Sequence, residues 1–416
     1  MTVLCALLVC IAGCGRKAVE ADGVVTVRMW AFPMLPELRD HALYDELVAE
    51  FQKSHPNIRV RVEMLPWAGR MQKMLTAIAG NRAPDAVYLN LDFVPRFVEQ
   101  DVLEPLDEYV TPEEKADYPA DVIDAVTLDG KLWLLPMLRN PNIGIYNTNL
   151  LKEAGFDPAN PPRNWEELDR AVRAMTKDTD GDGRIDQWGL GFIFGADTVN
   201  STFWPLLWQA GGEVLTPDGR RAAFNGPEGE EALTMVTNWY KDGIIPESYL
   251  AMGASEFAMG RLGLVFGGGP LEATNLLRDA PDIPLTVSPV LEHRRRISYS
   301  TIGSYALFKQ SKHKKETAEW LRFLTSPPVM ARFCKTTSYV PAKHSVGSIY
   351  GDDPIFSVFE REAQYCRPDV KSVFARQVMM YVKPEMQAAA LNRKTPRQAL
   401  DDAARLVNEM LERGMK

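Results

Sequence analysis

Apolar and polar positions alternate along the first part of the chain with two distinct periods. "VVTVRMW", from 24 to 30, is β-branched and reads as a strand ending at Trp30. Leu43, Leu47 and Phe51 follow at helical spacing, closed by "SHPN". "IRVRVEML" alternates strictly, with Ile58, Val60 and Val62 on one face. Met71, Met74, Leu75 and Ile78 mark a second helix that stops near Gly80, and "DAVYLN" (85–90) is the third strand. This is a βαβαβ unit, which demands a parallel sheet with right-handed crossovers. Open sheets of this class bind ligands beyond the C-terminal ends of their strands. Those ends read "WAF", "PWAGR" and "NLD". Trp30 and Trp67 are therefore either core residues or aromatic walls of a ligand cleft, and two indoles at equivalent strand ends favour the cleft.

The pattern changes at "KLWLLPMLRNPNIGIYN" (131–147), where two short strand-like runs flank Pro136 and Pro141 and predict a stiff crossing between two lobes. "NWEEL" opens a helix with Asn164 as N-cap and Glu167 three positions on. After an aspartate-rich loop come "WGLGFIF" as a strand, "FWPLLWQAGG" (203–212) as a helix, and a further helix between Pro227 and Gly243. "LGLVFGGGPLEATNLL" is a strand, a triple-glycine turn and a helix. The glycines serve either tight turning or an oxygen ligand, such as a phosphate, at the helix N-terminus. Beyond "SYSTIGSYALF" the chain reads as purely helical, with amphipathic stretches near 313–325, 328–335, 353–366 and 396–413.

The length of 416 residues supports two lobes rather than one core. A composition 46% hydrophobic and 25% charged is that of a soluble globular protein. The net charge of -8 argues against nucleic acid as a partner, and the basic clusters at 293–296 and 309–316 read as solvated faces. The histidines at 41, 55, 293, 313 and 344 form no ligand-spaced pair, and neither H-E-x-x-H nor G-x-S-x-G occurs.

The apolar run from Val3 to Ala12 is too short to span a bilayer but fits a signal-peptide core. It ends in "IAGC" (11–14), which resembles a lipobox, so residues 1–13 are expected to be removed and Cys14 to carry lipid on a tether of 14–21. No Lys or Arg precedes the apolar run, a departure from the usual signal. Of five cysteines, Cys334 and Cys366 then remain, and an exported compartment leaves a disulfide between them open.

In "DTDGDGRID", Asp178, Asp180, Asp182 and Asp186 occupy positions 1, 3, 5 and 9 of an EF-hand-like pattern, with Gly183 at position 6. Gly189 stands where the bidentate Glu belongs. The loop is expected either to hold structural calcium weakly or to be a set of solvated Asx turns.

The lipobox, the early βαβαβ unit, "PDAVYLN", "WGLGF" after the aspartate loop, "WQAGG", "FGGGP" and "TSYVPA" occur in one order. The set resembles the extracellular solute-binding proteins of bacterial ABC importers, in the group similar to maltose-binding protein. That resemblance implies an α/β, two-lobed periplasmic-binding-protein-like fold of type II, with the ligand cleft between lobes. Residues 22–138 plus 290–342 would form the N-terminal lobe and 139–289 plus 343–416 the C-terminal lobe. It implies ligand contacts from Trp30, Trp67, Asn90 and Asp92 on one side. Trp204, Trp208, Gly268, Gly269 and Glu272 would face them, with Trp133 and Arg139 near the crossing. It places the aspartate loop on the surface, away from the cleft.

The expected function is binding a carbohydrate, with indoles covering C–H faces and Asp, Asn and Arg pairing hydroxyls. The protein would deliver it to membrane permease subunits with an ATPase, as a lipid-anchored monomer facing the periplasm or exterior, without catalysis or cofactor. Two alternatives stay open. One is a phosphorylated or anionic solute held by Arg139, Arg70 and the glycine amides. The other is a calcium-dependent glycoside hydrolase using Asp92 and Glu272.

Overall fold

The computed structural model describes residues 23–35, 39–195, 198–250 and 256–414. The signal segment, Cys5, Cys10 and Cys14 lie outside the described residues. The βαβαβ unit forms as expected. Strands β1 (Val25–Ala31), β2 (Ile58–Met64) and β3 (Ala86–Asn90) are joined by helices Arg39–Ser54 and Arg70–Ala79. β1 pairs in parallel with both neighbours, with Val27 opposite Val60 and Met29 opposite Ala86. Alternation explains β2, whose Ile58 and Val60 are buried while Arg59 and Arg61 are exposed. Helix Arg39–Ser54 buries Leu43, Leu47 and Phe51 against the sheet, each contributing about 1.5–3 kcal/mol.

A short hairpin, β4 (Thr127–Leu128) and β5 (Lys131–Leu132), precedes β6 (Leu135–Asn147). The two short runs expected around the prolines are one strand of 13 residues. Pro141 lies opposite Ser300 of β10 (Ser298–Leu307), and it is tolerated because the other edge of β6 is unpaired at this point. One partner of β6, β11 (Val340–Pro341), pairs with Leu138 and Arg139, and another, β8 (Leu262–Gly268), pairs from Ile143 onward. The remaining strands are β7 (Trp188–Gly191), β9 (Leu285–Val287) and β12 (Cys366–Arg367). The main order is β2-β1-β3-β10-β6-β8-β7, with β9 and β11 on β6 and β12 on β10.

β6 thus belongs to two cores. One gathers residues from Val27 to Leu138 and from Ile302 to Ala342. The other gathers Ile143 to Leu291, Tyr299, Val340, and Phe359 to Leu411. The last part of the chain is less uniform than its pattern suggests, because β11 and β12 interrupt the helices. Helix Ala375–Ala390, with Pro384 inside it, was not among the expected elements. Helix Trp165–Met175 starts as predicted. Asn164 accepts the amide of Glu167 at 2.9 Å, and Glu167 accepts that of Arg163 at 2.8 Å.

Cys334 and Cys366 are free and buried in different cores, so the disulfide left open by the sequence does not form here. Burial pushes the Cys366 thiol up to about 12 and Cys334 higher still. The basic clusters are spent on ion pairs: Arg294 with Glu231, Arg295 with Glu213, Arg296 with Glu362, Lys309 with Asp101 and Lys314 with Glu104. Among the described residues, no helix is long and apolar enough to cross a membrane.

Candidate functional site

Side chains alternate along a strand, and β6 uses this at the junction of the two cores. Asn140 and Asn142 line a cavity of about 320 Å³, while Arg139 lines a different one. Asn90, Leu91 and Asp92 reach the first cavity from the end of β3, as the parallel-sheet rule predicts. Tyr299, Ser300 and Thr301 of β10 form another side. The other core supplies Asn200 and Ser201, at the start of helix Val199–Gln209, and Asp369, Arg376 and Met379.

Polar groups dominate, and several are tied together. Asn200 Nδ2 donates to the Tyr299 hydroxyl at 3.0 Å and to Asp369 Oδ2 at 3.1 Å. Thr301 Oγ1 donates to Tyr299 at 3.1 Å. Arg376 donates to Asp92 Oδ2 at 2.7 and 3.1 Å, an ion pair that joins the two halves. Asn142 Nδ2 donates to the Gly267 carbonyl at 2.9 Å. The Oδ1 atoms of Asn140 and Asn142 are buried with no hydrogen-bond partner. Such acceptors cost about 1–3 kcal/mol each until something donates to them. Burial, with the Asp92 charge adding to it, pushes Asp369 up to about 6, against the amide of Val370 and Asn200, which pull it down. Burial also raises Tyr299 far above its ordinary value.

Asn90 and Asp92 are the expected site residues that line this cavity. Trp67 lies beside it: the residue is 36% exposed, and its ring stacks on Phe32 at 4.9 Å and lies under Arg70, a cavity residue, at 4.9 Å. Trp30 is instead buried in the first core, donating to Glu63 at 2.8 Å, because β2 supplies that carboxylate directly beside it. Trp133 is buried likewise and donates to the Leu128 carbonyl. Trp204 and Trp208 are fully buried. Helix Val199–Gln209 is buried on every side from Thr202 to Gln209, so both indoles pack into the second core, Trp204 on Phe224 and Trp208 under Arg367.

Gly268 and Gly269 do not line the cavity; they permit close approach. A Cβ on Gly269 would come within 2.3 Å of Asn140 Oδ1, and one on Gly268 within 2.6 Å of Ile145. Gly267, at φ 70°, has the Ser201 carbonyl in the same relation at 2.3 Å. The run therefore lets β8 seat Asn140 and Ser201 at the cavity. Glu272 is exposed on helix Pro270–Asp279 and away from the cavity lining. It is not paired across the cleft with Asp92.

Arg139 faces the other way. Its Nη2 donates to Asp121 at 2.9 Å and to the carbonyls of Ala363 and Cys366 at 2.6 and 3.0 Å. The cavity on that face is larger, about 560 Å³. Its charges are mostly satisfied internally: Lys343 lies 4.0 Å from Asp117 and over the Tyr118 ring, and Glu360 accepts from Ser348 and the amide of Ile349. Volume favours this cavity. Arg139 Nε is buried without a partner there, but two unpartnered acceptor oxygens and more convergent polar groups favour the smaller cavity, which is the candidate site.

In the aspartate loop, Asp178, Asp180 and Asp182 offer oxygens within 4.8 Å of one another. Asp178 accepts the amides of Gly181 and Gly183, which hold its carboxyl below the usual range. Asp186 turns to the amide and hydroxyl of Thr179 and leaves the group.

Sequence reasoning missed Asn140, Asn142, Asn200, Tyr299, Asp369 and Arg376. A visible signal existed for the first two: "NPN" is a polar pair at period two inside an apolar strand. Nothing local marks Asp369 or Arg376.

A putative binding protein of Brucella abortus is 26% identical over 304 residues, 72% of each chain. The cyclic alpha-maltosyl-1,6-maltose binding protein from Arthrobacter globiformis matches in structure with a TM-score of 0.83 at 23% identity, covering 94% of this chain and 100% of that one. The sugar-binding protein MalE from Xanthomonas citri matches with a TM-score of 0.83 at 23% identity, covering 94% and 98%. The two-lobed fold is thereby shown. Residues 36–331 match the bacterial extracellular solute-binding protein family, and the chain belongs to that family.

Proposed function

We propose that the chain binds a carbohydrate in the 320 Å³ cavity and delivers it to a membrane permease driven by an ATPase. The observation that carries this reading is the pair of buried, unpartnered oxygens on Asn140 and Asn142, set among hydroxyl, amide and carboxylate groups. Sugar hydroxyls both donate and accept, so they satisfy such a mixed set, and the exposed part of Trp67 offers apolar surface to C–H groups. The sugar ligands named for both structural neighbours support the same class. The lining arginines, Arg70 and Arg376, are matched by Asp92 and Asp369, which speaks against an anionic solute. Arg376 is moreover already spent on Asp92. The protein works as an exported monomer anchored through lipid on Cys14, without catalysis. Calcium at Asp178, Asp180 and Asp182 is a structural accessory.

A thermal-shift screen against a carbohydrate library tests the reading. A ligand at 100 times its dissociation constant should add about 2.7 kcal/mol of stability. Shifts from phosphorylated solutes alone, abolished by salt, would overturn it in favour of an anion site. For the anchor, Cys14→Ser should release the protein from the membrane fraction; unchanged fractionation would count against lipidation.

A further inference from the structure

The cavity between the cores does not continue freely in both directions. Past Leu91 and Asp369 the remaining space shrinks to about 20 Å³. It is pinched between Leu91, Val94 and Pro95 on one core and Val370 and Lys371 on the other. Two ion pairs pin the pinching segment. Lys371 Nζ lies 2.7 Å from Asp124 Oδ2 on helix Ala120–Val126, and Arg376 holds Asp92. Each pair joins an element of the first core to the C-terminal segment.

We infer that Asp369–Lys371 is an end stop that limits the ligand to one or two sugar rings. The inference rests on the carbohydrate reading above and sharpens it to a size class. The 320 Å³ of the open part lies at the lower end of small-molecule pockets, which run from about 300 to 1,000 Å³. A hexose has about a dozen heavy atoms and fills roughly half of that space at interior packing density. One ring takes up the hydrogen-bonding groups of Asn140, Asn142 and Asp369. A second has room only toward Arg70 and Trp67. A third ring meets Val370 and Lys371 on one side or leaves the protein on the other, so it adds no buried contact. The polar lining fits this division. Long saccharides need repeated aromatic platforms, and here four indoles, Trp30, Trp133, Trp204 and Trp208, are buried in the cores instead.

The test uses calorimetric titration of the full mature chain with one-, two- and three-unit series of glucose, galactose and N-acetylglucosamine. In the series that binds, the third unit should leave affinity unchanged or weaken it. In Val370→Ala/Lys371→Ala, the three-unit member should gain about tenfold, while the two-unit member stays within about threefold. Asp124→Ala loosens the same contact from the other core and should shift the three-unit member in the same direction, which guards against a local folding defect in the double variant. A wild-type protein that binds the three-unit member about tenfold tighter than the two-unit member would overturn the end stop. So would variants that both leave the three-unit affinity where it was. Absence of binding by every saccharide is a separate outcome; it would overturn the carbohydrate reading itself and the end stop with it.

Discussion

The two faces of β6 differ in how far their polar groups are satisfied. On one face Arg139 spends Nη2 on three acceptors and knits the halves together. On the other, Asn140 and Asn142 keep an oxygen each without a donor. One residue of register separates a brace from the candidate binding surface, and the larger cavity lies on the braced side. Both faces thus keep some unmet capacity, two acceptor oxygens on one and the Arg139 Nε on the other, and the contrast lies in which atoms a hydroxyl donor can satisfy.

The largest expected effect breaks the braced face. Arg139→Met strands the Asp121 carboxylate and two carbonyls, and denaturant unfolding should show a loss of about 2–3 kcal/mol. This is the low end for a broken buried pair, because Asp121 is partly exposed. Solute affinity measured on the folded fraction should change little. The open face should behave the opposite way. Asn140→Ala removes an unpaired acceptor, so stability should hold or rise, while affinity should fall by about 1–2 kcal/mol, roughly five- to thirtyfold. Equal losses of stability from both variants would erase the contrast.

Asp369 adds a pH arm to the same contrast. Its folded value of about 6 lies above the ordinary 3.8, so the folded state holds the proton more tightly. Its stabilising effect is complete below about pH 4 and is lost as pH rises through 6. The ionised group then costs about 1–2 kcal/mol, discounted for its partial exposure. Asp369→Asn should therefore raise stability at pH 7 and flatten the curve between pH 4 and 6. Where a ligand hydroxyl donates to the carboxylate, wild-type affinity should drop as pH falls below 6, and the Asn variant should lack that dependence. A wild-type stability profile that is flat from pH 4 to 6 would refute the shift.

The smallest effect belongs to the aspartate loop. Asp180→Asn with Asp182→Asn should remove any calcium-dependent gain in melting temperature and leave solute affinity within a factor of a few. Loss of solute affinity in calcium-saturated buffer would instead tie the loop to the site.

How much of this was legible follows from where each signal lives. The βαβαβ unit was readable because Ile58 and Val60 alternate and Leu43, Leu47 and Phe51 repeat at helical spacing, and those periods are local. Asn90 and Asp92 were readable because parallel-sheet topology fixes where a strand ends. The tryptophans were not. Trp30 donates to a carboxylate that register, not composition, sets beside it, and Trp204 and Trp208 lie on the part of a helix that is buried on every side. Asp369 and Arg376 were hidden for another reason. They join Asp92 only after more than two hundred residues of intervening chain have folded.

That last separation has a consequence for the order in which the molecule is made. β10, which zips β3 to β6, begins at Ser298, and the core around β1–β3 takes residues up to Ala342. The other core is not closed until Leu411. A nascent chain that has not yet passed Ser298 has therefore completed neither half. Both gain their final contacts only after β10 has been made. Truncation near the C-terminus should be far more damaging than its small share of the sequence suggests.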